Sequence, residues 1–339
     1  MIAKPKVWVA RPLFPDVLAR LAEYFDVQAE AVERKHSAAE LREKLAGVDG
    51  ALIGLSDRID ADVLEGNHRL KVVANLGVGF NNLDLDALSR AGVLACNTPD
   101  VLTESVADYA WALMLAAARR VGAAERWLRA GQWAGSRMRF DDWLGVDVHG
   151  RSLGILGMGR IGQAIARRAM GFDMRVLYHN RSRLPEAIER QVGATLVTKP
   201  ELLRQADHLV LVLPFTAANR HAIGAAELAQ MKPSAVLVNI ARGGIVDDAA
   251  LAAALRDGKL AAAGLDVFEG EPVVHPDLLA LDNVVLSPHI ASASEDTRRS
   301  MATVAADNVI AALGYGDAAG KPPTPLNPAV MSHWAARKA

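Results

Sequence analysis

The chain has 339 residues, 51% hydrophobic and 23% charged, with a formal net charge of -1. That length exceeds one ordinary compact core and favours two domains, and the balanced charge, with no Lys/Arg-rich stripe, gives no support for nucleic acid or an anionic membrane as partner. Cys96 is the only cysteine, which excludes an intrachain disulfide and suits a reducing cytoplasm.

The opening MIAKPKVWVARPLF carries a short apolar run broken by Arg11 and Pro12, and reads as a first strand rather than a signal peptide. Further β-branched runs start at Phe25, Gly50, Lys71 and Gly92, with helically spaced apolar residues at 38–45 and 83–90 between them. The first hundred residues therefore read as one small α/β unit with a parallel sheet. A helical stretch over 103–130 follows, with Thr103 as N-cap and Glu104 in the first turn. Its most apolar part, 106–118, is interrupted by Asp108 and bounded by Arg119 and Arg120, short of a membrane span. Residues 131–148 form a loop rich in Gly and Trp. A second strand series then starts at Ser152, Arg175, Ala194, His208, Ala235, Ala261 and Asn283. Its runs are nearly all apolar, as in a doubly wound sheet of six or seven strands covered on both faces. The last helix is expected over 295–313, and the Gly/Pro-rich tail from Gly314 should wrap the surface, with 331–339 loose.

Gly157-Met158-Gly159-Arg160-Ile161-Gly162 follows the strand SLGIL and opens the helix GQAIARRAM. GxGxxG alone is a weak signal, but a strand before it, a helix after it and a βαβ frame make it a dinucleotide site. The first glycine permits the tight turn and the second lets backbone N–H groups approach a pyrophosphate. The third lets the helix pack on the sheet with its positive end towards the phosphates. NAD-type sites place an acid at the end of the next strand for the ribose 2′-OH. Here that strand runs into His179-Asn180-Arg181-Ser182-Arg183, with no acid. Arg181 can grip a 2′-phosphate and Ser182 can donate to it, with Asn180 beside them as a further cofactor contact, so NADPH is the expected cofactor, with NADH as the alternative.

Three polar groups stand at the ends of successive strands: Arg242 after AVLVNIA, Glu271 after AAAGLDVF, and His289 after NVVLSP. Open parallel sheets bind ligands beyond the carboxyl ends of their strands, so the three should share one site. Reduction of a 2-keto acid needs a hydride at C2 and a proton on the carbonyl oxygen. Histidine can supply that proton, a neighbouring carboxylate favours its charged ring and fixes its orientation, and arginine polarises the carbonyl and pairs with the carboxylate. Each residue is ordinary alone; the joint pattern is specific. No metal site is expected.

With these residues in place, the segments NLGVGFNNLD, NTPDVLTESVADYAWALML, GILGMGRIG, LVNIARGGIVDDAALAAAL, AAGLDVFEGEP and SPHIASAS, spread over residues 70–310, resemble the D-isomer-specific 2-hydroxyacid dehydrogenase family. Within it the chain is most similar to the glyoxylate/hydroxypyruvate reductases, including those that take 2-ketogluconate; DDWLGVDVHGRSLGILGMGRIG contributes most to that likeness. The resemblance implies a flavodoxin-like substrate domain from 1–102 plus 292–330 and an inserted Rossmann domain at 103–291, with substrate in the cleft between them. It makes Arg242 the substrate-binding arginine, Glu271 the residue orienting the histidine, and His289 the acid/base. Val78 and Gly79 become backbone donors for the substrate carboxylate, and Leu55 an apolar pocket residue. Thr103, the 159–162 loop, Pro214, Ile240, Asp266 and Ala291 line the cofactor. It also implies a homodimer joined through the cofactor domain, with Trp143 reaching the partner's site. The aspartate of NAD-specific members falls at His179, in keeping with the argument from charge. Two other readings stand beside this one: a phosphoglycerate or D-lactate type of dehydrogenase using the same three residues, and a dinucleotide-sensing binding protein of the same fold.

Overall fold

The structure of the protein, a computed structural model, describes residues 3–336. The chain divides into two compact units, one made of the residues up to Leu102 together with those from Ser294, the other of Thr103–Ala293.

The first unit is built on five parallel strands: β1 (Lys6–Val9), β2 (Asp26–Ala29), β3 (Gly50–Ile53), β4 (Val72–Asn75) and β5 (Leu94–Cys96), in the order β2-β1-β3-β4-β5. Successive side chains of a strand point to opposite faces, and the two cores follow that period of two. Val7, Val9, Leu52, Val72 and Ala74 meet the helices Pro15–Tyr24 and Glu295–Ala312 on one face. Trp8, Ala51, Ile53, Val73 and Ala95 meet Leu41, Leu45, Val63 and Leu88 on the other. The edge strand β2 carries the polar sequence DVQA and is largely exposed, whereas the interior β3 and β4 are buried throughout. Ala302, Ala305 and Ala306 let the helix Glu295–Ala312 lie close to the sheet. The same closeness explains Gly50, where a Cβ would come within 3.1 Å of Val309.

The second unit holds seven parallel strands: β6 (Ser152–Leu156), β7 (Arg175–His179), β8 (Ala194–Leu196), β9 (His208–Leu211), β10 (Val236–Asn239), β11 (Ala262–Leu265) and β12 (Val284–Leu286). Their order is β12-β11-β10-β9-β6-β7-β8. Both sheets are thus the parallel α/β sheets expected from the alternation of strands and helices, and every anticipated strand forms. The helix Thr103–Ala118 crosses β10 and β11 so tightly that a Cβ on Gly264 would sit 3.0 Å from that of Leu113. Trp111 of this helix donates to the Ile165 carbonyl at 3.2 Å and stacks on Phe172.

Three local expectations change. The stretch 103–130 is two helices, Thr103–Ala118 and Val121–Arg129, because Arg120 turns into the left-handed region at φ 56°. The Ala118 carbonyl, instead of serving a continued helix, accepts from the Val146 amide at 2.9 Å. Thr103 is the first helical residue, one place inside the expected cap. At the other end, the tail is helical over Ala329–Ala336, and the Trp334 indole donates to the Gly92 carbonyl at 3.0 Å. Of the segment expected to be loose, residues 337–339 lie outside the described residues.

The tail before that helix is held by a buried amide. Asn308 donates to the Thr324 hydroxyl (2.7 Å) and accepts from the Thr324 amide (3.0 Å), and the Thr324 hydroxyl donates to the Asn97 carbonyl (2.6 Å). Replacing Asn308 by Leu keeps the volume but strands these groups, at a cost of about 1–3 kcal/mol. Asn308→Leu should lower the melting temperature and make the segment around Thr324 the first site of limited proteolysis.

Candidate active site

In the seven-stranded sheet the strand order reverses at β6, with β7 and β8 on one side and β9 to β12 on the other. An open sheet leaves its ligand crevice at such a reversal, beyond the carboxyl ends of the two strands that part, here β6 and β9. The glycine loop lies there, and its glycines have different physical reasons. Gly157 has φ 103°, and a Cβ on it would sit 2.8 Å from the backbone of Val212 and Leu213. On Gly162 a Cβ would lie 2.5 Å from the Gly157 carbonyl oxygen, so a side chain would push the helix off the strand. Gly159 has nothing within 4 Å on the side where a Cβ would be, so no chain atom requires its bareness. It is the N-cap of the helix Arg160–Ala169, whose end carries no side-chain cap. An open backbone facing an uncapped helix N-terminus is the environment that a pyrophosphate needs, so these residues fit a dinucleotide.

The loop after β7 is fixed at its base. His179 pairs in register with Leu156, and its Nδ1 lies 2.9 Å from the Val197 carbonyl. The Asn180 side-chain oxygen accepts from the Met158 amide at 2.7 Å, so this expected cofactor contact braces the glycine loop. Arg181 and Ser182 are exposed and have no hydrogen-bond or ion-pair partner among the described residues. Arg183, by contrast, is bound to Glu189. Of the other expected lining positions, Pro214 accepts from Asn219 through its carbonyl, and Ile240 is buried just beyond β10.

Arg242, Glu271 and His289 leave three adjacent strands whose ends are level: Asn239 pairs with Leu265, and Leu265 with Leu286. The turns they sit on abut. A Cβ on Gly243 would lie 1.7 Å from the Phe268 carbonyl oxygen, which explains the glycine after Arg242. His289 Nδ1 is 2.9 Å from Glu271 Oε2, and Glu271 Oε1 accepts from the Phe268 amide at 2.9 Å. Both carboxylate oxygens are thereby fixed, and His289 Nε2 has no partner among the described residues. Burial alone would raise the Glu271 carboxyl, but the His289 hydrogen bond and charge, the Phe268 N–H and the Arg242 charge outweigh it and hold the group below the usual carboxylate range. Burial lowers the Arg242 pKa, and the Glu271 charge opposes that shift. Among the described residues the Arg242 guanidinium makes one hydrogen bond, from Nη1 to the Ala241 carbonyl at 2.6 Å, so its other donors are not engaged there.

The His289 backbone is in the left-handed region at φ 56°. Asp266 holds it there. Its carboxylate accepts from the Ile290 amide (2.8 Å), the Ala291 amide (2.8 Å) and the Ser287 hydroxyl (2.7 Å), and its carbonyl accepts from the His289 amide (2.9 Å). Sequence reasoning placed Asp266 and Ala291 beside the cofactor and did not find this bracket or Ser287. The signal was an acid ending an otherwise apolar strand, AAAGLD, which needs a partner for each oxygen once buried.

In the first unit, Leu55 and the Val78–Gly79 pair stand beyond β3 and β4. The Leu55 side chain lies under Gly77, where a Cβ would come within 2.6 Å of it. The carbonyls of Gly77, Val78 and Gly79 all turn into the unit. They accept from the Thr98 amide (3.1 Å), the Asn97 side chain (2.8 Å) and the Asn75 side chain (2.8 Å). The amides of Val78 and Gly79 have no partner among the described residues. The asparagines doing this were not identified from the sequence. Trp143 packs on Trp127, ring centroids 5.3 Å apart, with Arg120 over its ring.

This geometry has known counterparts. Residues 111–291 match the family model of the NAD-binding domain of D-isomer-specific 2-hydroxyacid dehydrogenases. A glyoxylate reductase of Thermococcus onnurineus is 47% identical over 331 residues, covering 97% of this chain and 98% of that protein. Among solved structures, a Sinorhizobium meliloti NADPH-dependent glyoxylate/hydroxypyruvate reductase in complex with NADP and malonate superposes with a TM-score of 0.84 at 36% identity, covering 96% of this chain and 98% of that one. A Thermus thermophilus protein gives a TM-score of 0.86 at 40% identity, covering 95% and 99%. With the glycine loop and the three level strand ends, these matches establish that the chain belongs to the D-isomer-specific 2-hydroxyacid dehydrogenase family and is a nicotinamide-dependent oxidoreductase.

Proposed function

We propose that the protein reduces a small 2-keto acid, glyoxylate, hydroxypyruvate or 2-ketogluconate, to the D-2-hydroxy acid with NADPH. The observation that carries this reading is the His289–Glu271 contact on a strand end beside Arg242, in a chain 47% identical to a glyoxylate reductase. The cofactor, when bound, supplies the hydride for C2 of the substrate. Gly157, Gly159, Arg160, Ile161 and Gly162 hold its pyrophosphate, with Thr103, Pro214, Ile240, Asp266 and Ala291 along its length. Arg181 and Ser182 take the 2′-phosphate, supported by their exposure and lack of partners in a loop without an unpaired acid.

The chain's own groups do the rest. The unpartnered amides of Val78 and Gly79 bind the substrate carboxylate, and Leu55 limits the space beside it. Arg242 binds the substrate and polarises the carbonyl that becomes an alkoxide. His289 delivers the proton from Nε2, since Nδ1 faces Glu271. Glu271 is held by the Phe268 amide, so it orients the ring without moving itself.

The same reading makes the active form a cytoplasmic homodimer joined through the Thr103–Ala293 unit. Val121, Leu128, Trp133, Phe140 and Leu144 expose about half or more of their apolar surface within one short span. A cluster of that kind marks a surface to be covered, and Trp143 at its edge is the residue that reaches the partner's substrate. No helix of the described residues is long and apolar enough to cross a membrane.

Three outcomes follow. kcat/KM for NADPH should exceed that for NADH by about tenfold or more, the scale of one charge-assisted phosphate contact; the reverse preference would sink the cofactor assignment. His289→Ala should lower kcat about 10²–10⁴-fold with the cofactor Kd unchanged, and a variant of wild-type rate would end the mechanism. Light scattering should give twice the monomer mass, and Phe140→Glu with Leu144→Glu should halve it.

A further inference from the structure

We propose that Glu189 governs cofactor choice without touching the cofactor: by clamping Arg183 and Tyr178 it holds residues 180–184 in the shape that presents Arg181 and Ser182 to a 2′-phosphate. The inference rests on the NADPH reading above and names the positioning residue through which it works.

Glu189 lies on the short helix Glu186–Val192 and is 7% exposed. A buried carboxylate is tolerated only when its oxygens are filled. Oε1 accepts from the Tyr178 hydroxyl (2.5 Å) and from Arg183 Nε (3.0 Å), and Oε2 from Arg183 Nη2 (2.8 Å) and Nε (3.1 Å). The Tyr178 hydroxyl in turn accepts from the Leu184 amide at 2.9 Å, which ties the far end of the loop to the buried ring. The near end is tied by Asn180 to Met158 and by His179 to Val197. The far end is thus anchored to a side chain of β7 and the near end to residues just beyond β6 and β8, and Arg181 and Ser182 form the apex between them, unengaged among the described residues.

The charges give the clamp a second effect. A lone carboxylate beside the loop would repel a 2′-phosphate, and Arg183 cancels it. Arg181 is then the uncompensated charge of the segment 179–185. Arg183, although adjacent in sequence and exposed on one side, is a partner of Glu189 rather than a phosphate ligand.

Removing Glu189 deletes a negative charge, which by field alone would favour a 2′-phosphate, and it also unties the loop, which would disfavour it. The sign of the measured change therefore separates the two. KM for NADPH and NADH is measured with saturating glyoxylate, alongside inhibition by 2′,5′-ADP and 5′-AMP, which isolates the phosphate from turnover. Glu189→Ala should raise KM for NADPH and the inhibition constant of 2′,5′-ADP about tenfold, leaving kcat and KM for NADH within about twofold, as expected for restored loop entropy. Tyr178→Phe, which keeps the core volume and the fold, should act in the same direction with smaller size. Arg183→Met should raise KM for NADPH at least as much, because Glu189 then faces the phosphate unpaired.

A fall in KM for NADPH in Glu189→Ala, with a rise in Arg183→Met, would make Arg183 the phosphate ligand and overturn the clamp. Parallel changes for both cofactors would reduce Glu189 to a packing role and also overturn it. A wild-type enzyme that prefers NADPH with a ratio unaltered in all three variants would overturn the clamp while leaving the cofactor reading intact. A wild-type preference for NADH, with 2′,5′-ADP binding no tighter than 5′-AMP, would overturn the cofactor reading and the clamp with it.

Discussion

The Asp266 carboxylate, buried at the end of β11, is the constraint on which the geometry of the strand ends bearing Arg242, Glu271 and His289 depends. A desolvated acid costs several kcal/mol unless its lone pairs are filled. Here the Ser287 hydroxyl and the Ile290 and Ala291 amides fill them, and all three come from the segment that carries His289. Asp266 also donates its amide to Asn239 and accepts at its carbonyl from His289, so β10, β11 and the loop after β12 are joined at one residue. The left-handed backbone of His289, about 1–3 kcal/mol above an ordinary conformation, persists because these bonds over-determine it. Glu271 fixes the ring and Asp266 fixes the backbone that bears it.

A similar economy governs the loop after β4 in the first unit. Peptide groups are rigid, so turning a carbonyl inward sets the direction of the following amide. Asn75, Asn97 and the Thr98 amide draw in the carbonyls of residues 77–79, and the amides of Val78 and Gly79 are left without a partner among the described residues. Asn82 strengthens the arrangement by donating to the Asn75 side chain and to the carbonyls of Gly54 and Asp57, which link the loop to the one bearing Leu55.

The sequence disclosed what depends on period and on chain order. Both sheets were legible because buried parallel strands are written as apolar runs, and the nearness of Arg242, Glu271 and His289 because each follows the carboxyl end of a neighbouring strand. What depends on contacts distant in sequence, or on where one side chain points, was not legible. The helix break at Arg120 comes from the Val146 amide taking the Ala118 carbonyl, a contact spanning the whole Trp-containing loop. Arg181 and Arg183 look alike in the string NRSR, yet one is unengaged and the other is bound to an acid six residues on. The helix Ala329–Ala336 was hidden in a Gly/Pro-rich neighbourhood. Asp266 was placed at the right strand end and given a ligand role, while its visible bonds go to the loop of His289.

The two anionic groups of the proposed ligands that every turnover must hold, a pyrophosphate and a carboxylate, are met on this reading by backbone amides. Gly159 and an uncapped helix end face the first, and Val78 and Gly79 the second. Amides carry no net charge and need no counter-ion, so the strand ends can receive highly charged ligands in a chain whose formal net charge is -1. Side-chain cations are then reserved for two tasks that amides cannot do. In the proposed mechanism, Arg242 would stabilise charge that appears only during reaction, where a preorganised guanidinium in a water-poor site is most effective. In the proposed role, Arg181 would distinguish two cofactors that differ by a single phosphate, where a full charge discriminates more sharply than a dipole.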